Sequence, residues 1–141
     1  MAIIKAKEVI IISAIQFESN QELFKSEAHH KLFGTMLVKL NELQDNNYVV
    51  FAYLAAATEK VDVRNALSDH HIDFDQLEKI SKNWSNKDKI LLKVASNLFT
   101  SGGKEADINS SFKGLNASDS AIVIVSLTYI FNIKANIHIP N

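Results

Sequence analysis

Apolar residues recur at three- and four-residue spacing from Glu27 to Leu43. His29, Leu32, Phe33, Met36, Leu37, Leu40 and Leu43 fall on one stripe, the pattern of a helix with one buried face. Ser26 is placed to cap its first amides, and Ser19-x-x-Glu22 offers an earlier capping box. Asp45-Asn46-Asn47 reads as a turn that ends the helix. Tyr48 to Ala57 then runs apolar on every side, so a helix there must be buried on most of its surface. Asp62 caps a short predicted helix with Val63 to Leu67 as its body. Asp73-x-x-Gln76 is a further capping box, with Ile72 placed to staple onto Leu77, and predicts a helix to about Lys82. Ser85-x-x-Asp88 precedes the stripe Ile90, Leu91, Val94, Ala95, Leu98 and Phe99, which Gly102 and Gly103 stop. A Ser, Asn and Gly-rich loop is expected over 101–116. Asn116-x-x-Asp119 opens a last helix over 117–132, again apolar almost all round.

The two ends of the chain carry other patterns. Residues 3–17 are rich in Ile and Val and fit either a strand or a poor helix, because β-branched side chains lose rotamer freedom in a helix. Ala135, Ile137 and Ile139 alternate with Asn136 and His138, which predicts a short strand or extended arm. The expected fold is therefore mainly α. It is a compact bundle of five to six helices in a single domain, residues 1–141. Helices 48–57 and 117–132 lie inside, and residues 1–20 and 133–141 are candidate extended arms.

Composition narrows the function classes. Leu, Ile, Val and Phe make up 46 of 141 residues, too many for a disordered chain. Fifteen basic residues oppose sixteen acidic ones, so the surplus of positive charge typical of nucleic-acid binders is missing. There are no cysteines, which excludes disulfides, thiolate metal sites and thiol catalysis. The longest uncharged run, between Asp119 and Lys134, spans 14 residues, short of the roughly 20 that a membrane-spanning helix needs. Lys5 and Lys7 before Val9 to Phe17 imitate a secretory signal, but Glu8 interrupts the pattern and no small-x-small site follows. The expected setting is cytoplasmic, with no membrane and no nucleic acid as partner.

The segment Phe24-Lys25-Ser26-Glu27-Ala28-His29, with Phe33 beyond it, Tyr53-Leu54 on the second helix, and Trp84-Ser85 before the stripe ending at Phe99 resemble a family. It is an uncharacterised domain-of-unknown-function group of small helical proteins from Gram-positive bacteria and their phages. The resemblance covers about residues 24 to 131, and the Ile-rich extension before Phe17 departs from it. It implies a bacterial or phage-related cytoplasmic protein and brings no assigned activity or site.

Chemistry-bearing residues are few. His29 and His30 adjoin on the first helix and point about 100° apart, so the stripe turns His29 inward and His30 outward. With His70 and His71, and His138 in the tail, they are the candidate ligands of a metal such as zinc or nickel. The alternative is a buried, hydrogen-bonded His29 beside solvated His70 and His71. Glu27-x-x-His30 has the spacing used in di-iron bundles, but the second copy is missing. Asp62, Asp69, Asp73 and Asp75 lack the glycine of a calcium loop. Gly102-Gly103-Lys104 lacks the rest of a phosphate loop, and no Gly-x-Ser-x-Gly elbow occurs. Trp84, Tyr48 and Tyr53 are either core aromatics or, for an exposed Trp84, an interaction hot spot.

The leading expectation is a non-enzymatic protein without cofactor that acts through protein–protein contact, with itself first, as a homodimer. A metal-dependent enzyme built on His29, His30, His70 and His71 is the alternative. A carrier of small apolar ligands, with a pocket lined by Phe51, Phe99 and Phe131, is the third.

Overall fold

The computed structural model describes residues 21–41, 45–100 and 112–130. Among them the chain is mainly α, with helices α1 (Glu27–Leu40), α2 (Asn46–Ala56), α3 (Phe74–Ile80), α4 (Asn86–Thr100) and α5 (Ala117–Ile130). Short 3-10 turns, Gln21–Leu23, Val61–Ala66 and Ser81–Asn83, join these elements. A two-stranded antiparallel hairpin, β1 (Leu67–Ser68) with β2 (His71–Ile72), pairs Leu67 with Ile72 and Ser68 with His71. The Ile-rich start, residues 101–111 of the expected loop over 101–116, and the alternating tail lie outside the described residues.

Helix α2 is the axis of the fold. It touches α1, α4 and α5, and every residue from Val49 to Ala57 is buried. The run of small residues Ala52, Ala55, Ala56 and Ala57 lets its neighbours approach closely, while Phe51 fills the space between α2, α3 and α4. The Phe51 ring meets Phe74 at 6.0 Å and Phe99 at 6.1 Å, and Phe74 meets Phe99 at 5.8 Å. Phe51 meets the other two edge-to-face and Phe74 is tilted on Phe99, and rings at these separations add to the burial term. Phe131, the third residue of the expected apolar-ligand pocket, lies outside the described residues.

Boundaries moved where caps outweighed periodicity. The Asp45-Asn46-Asn47 segment opens α2, because the Asp45 carboxylate accepts from the Asn47 amide at 2.9 Å. Helix α1 stops at Leu40 on Asn41, which takes the left-handed conformation (φ 52°) that asparagine tolerates well. The predicted helix after Asp62 is a 3-10 turn followed by the hairpin, which alternation over so few residues does not reveal. The second correction concerns burial. The two all-apolar helices are not equally central. Helix α5 buries Ile122, Val123, Val125 and Ser126 but leaves Ile124 42% exposed, with Ala121 and Leu127 partly exposed beside it. An apolar surface all round does not say how many neighbours a helix has.

Candidate functional site

Polar side chains from three helices converge where α1 begins. Ser26, in extended backbone, caps α1 by accepting from the His29 amide at 3.0 Å. It also donates its hydroxyl to the Glu59 carboxylate just past the end of α2. His29 follows on the core-facing side and is fully buried. Its Nδ1 accepts from the Lys25 backbone N–H at 3.2 Å, which places the ring proton on Nε2, 2.8 Å from the Tyr53 carbonyl. That carbonyl is one of the four that a helix end leaves without an intrahelical partner. The last turn of α2 tightens to i→i+3 bonds, from Ala57 to Leu54 and from Thr58 to Ala55, and His29 takes the group left over. Burial, with the Lys25 and His30 charges in support and against the Tyr53 bond, holds the His29 pKa down at about 3. The ring is neutral and both its nitrogens are engaged.

Around it, Phe24 meets His29 edge-on at 4.9 Å, stacks on His30 at 4.3 Å, and meets Tyr53 at 5.5 Å. The Tyr53 hydroxyl donates to the Leu23 carbonyl. Burial raises its pKa, so the phenol keeps its proton.

The Lys25 side chain runs the other way. Its Nζ lies 2.7 Å from Oδ1 of Asp119, while the Lys87 ammonium stands 3.6 Å from Oδ2. Asp119 is fully buried in the first turn of α5, its amide held by the Asn116 carboxamide at 2.8 Å. Two lysines and the positive end of a helix dipole thus offset one buried carboxylate. Asn116-x-x-Asp119 is legible as a cap. The link from Asp119 to Lys25, 94 residues away in sequence, is not.

His70 and His71 sit elsewhere. His70 takes a left-handed conformation (φ 55°) at the hairpin tip, donates its amide to the Leu40 carbonyl at 2.9 Å, and accepts the Tyr48 hydroxyl on its own carbonyl at 2.9 Å. Leu40 is the last residue of α1, ten beyond His30, about 15 Å along a helix. The two histidine pairs therefore stand at opposite ends of α1 and do not make one metal centre. Among the described residues no group of three or more His, Asp or Glu is placed to hold a metal ion; His138 lies outside them. Trp84 is partly buried and packs against the core at the entry to α4, its amide bonded to the Ser81 carbonyl at 3.0 Å.

One open feature lies along α1. A groove of about 1110 Å³ is lined by Phe24, His30, Lys31, Gly34, Thr35 and Val38, among others. Val38, at its far end, is 81% exposed. Lys25, Ser26, Glu27 and Lys31 line it together with His30, so it sets charges of both signs beside the apolar Phe24 and Val38.

The fold and its polar knot define a mainly α protein in which His29, Tyr53 and Asp119 tie helix ends together. No protein-family model, no curated protein and no solved structure matches the chain. Among the described residues no helix is long and apolar enough to cross a membrane.

Proposed function

We propose that this is a non-enzymatic helical protein that works through protein–protein contact, with a second copy of itself as the first partner. The observation that carries the reading is the outer face of α5. Ile124 is 42% exposed between the partly exposed Ala121 and Leu127, and no charged residue occurs from Ser120 to Ile130. A contiguous apolar strip at the surface is a common anchor of an interface. An uncharged strip also meets its own copy across a two-fold axis without like-charge repulsion. The sequestered His29 supports the same reading, since a general base must reach its substrate. A cytoplasmic setting is part of this proposal.

Light scattering coupled to size exclusion tests it. At tens of micromolar the full chain is expected to run at twice its monomer mass, and Ile124→Lys at the monomer mass with an unchanged far-ultraviolet circular dichroism spectrum. A wild-type chain that stays strictly monomeric overturns the reading.

A further inference from the structure

The groove along α1 runs from Gln21 and Phe24, ahead of the helix, to Val38 near its end. Phe24 is buried there and stacks on His30. Val38, at the other end, is more exposed than Val61 or Ile124. Gly34 lies between them on α1. A glycine inside a helix lowers its stability relative to alanine, and what it offers in return is close approach of another segment to the helix backbone. Glu27 and Lys31, both exposed, stand on the rim. An apolar segment without charges meets neither of them with a like charge.

The chain carries such a segment beside the groove. Gln21 lines the groove and is also the first described residue after residues 1–20. Residues 9–17 hold no charge and include Ile10, Ile11, Ile12 and Ile15 with Val9 and Phe17, while Lys5, Lys7 and Glu8 all precede them. Surface this apolar calls for cover. Its reach is sufficient. From Glu27 to Val38 a helix advances about 17 Å, and the 20 residues ahead of Gln21 span about 30 Å even when fully helical. Attachment then selects the occupant. Only Glu18, Ser19 and Asn20 separate Phe17 from Gln21. A short tether presents its segment at an effective concentration on the order of mM, roughly a hundredfold above a second copy at tens of micromolar.

We propose that residues 9–17 of the same chain are the ligand of this groove. They lie along α1, with Phe17 nearest the Phe24–His30 stack and the isoleucines passing over Gly34 toward Val38. The class of ligand the groove takes is therefore an uncharged, isoleucine-rich peptide. This contact within one copy uses α1 and stands apart from the contact between copies assigned to α5, so either is tested without the other.

The chain has no cysteine, so Lys39→Cys, exposed beside Val38, carries a single nitroxide spin label in the full chain. In nuclear magnetic resonance spectra the backbone amide signals of residues 9–17 are expected to broaden relative to the same chain with the label reduced, most strongly toward residue 9. Ile11→Asp/Ile15→Asp, and separately Val38→Asp at its exposed position, are expected to restore those signals and leave the far-ultraviolet circular dichroism spectrum unchanged. A mixture of isotope-labelled chain without spin label and spin-labelled chain without isotope is expected to show no broadening of residues 9–17. Signals that stay sharp in the single-chain sample overturn the proposal. So does broadening that survives both sets of aspartates, which the tether alone then explains. Broadening in the mixture gives the groove to a second copy and likewise overturns it.

Discussion

His29 shows how one side chain can look functional in sequence and be structural in the fold. Its ring closes the open end of α2 through the Tyr53 carbonyl and steadies the entry to α1 through the Lys25 amide. The cost of that placement is acid lability. Burial holds the folded-state pKa near 3, below the usual 6.5, so on acidification the unfolded chain binds this proton first. The contribution is fully present above pH 6.5 and is lost as pH falls toward 3, at up to about 1.4 kcal/mol per pH unit. Urea unfolding of the wild type at pH 7, 6, 5 and 4 is expected to show this decline. His29→Gln, which keeps a donor and an acceptor, is expected to be less stable at pH 7 and to show a flatter slope below pH 6.5. Parallel slopes for the two proteins remove this account.

At the scale of the element, caps decide where helices start and how they join. Ser26, Asp45 and Asp73 each stand in extended backbone and accept from an amide of the following turn. Ser26 does more than the others, because its hydroxyl also reaches Glu59. Glu59 is left-handed (φ 60°) where α2 gives way to the next turn, a position that ordinarily favours glycine. The Ser26 bond is what a glycine there would forgo. Ser26→Ala is expected to destabilise the fold by roughly 1–2 kcal/mol, at the upper end of a helix cap, since it removes the cap and the inter-helix bond together. Asp73→Ala, which removes a cap alone, is expected to cost less. Chemical denaturation of the two variants side by side gives the order, and equal losses count against a joining role for Ser26.

For the molecule as a whole, Asp119 is the tie. It brings Lys25 ahead of α1 and Lys87 at the start of α4 to the first turn of α5, so three helix starts share one buried charge. Asp119→Ala leaves two ammonium groups facing each other across a cavity. The expected loss is about 3 kcal/mol, the lower end for a broken buried pair. Lys87, 39% exposed, can turn to solvent and relieve part of it. Thermal unfolding checks this: the variant is expected to melt well below the wild type, and a change within experimental scatter would show that the tie is dispensable.

The class of the fold and most of its helices are legible along the chain. Apolar spacing needs only 3.6 residues per turn to be read, and capping motifs act within four residues. The inward turn of His29 was legible for the same reason. Which all-apolar helix is central is a matter of packing, since Val50 and Ile124 look alike along the chain and differ in how many neighbours surround them. Packing also sets the two histidine pairs apart and brings Lys25 to Asp119. Each of these is a contact or a separation in space between residues distant in sequence, and local periodicity carries no record of it.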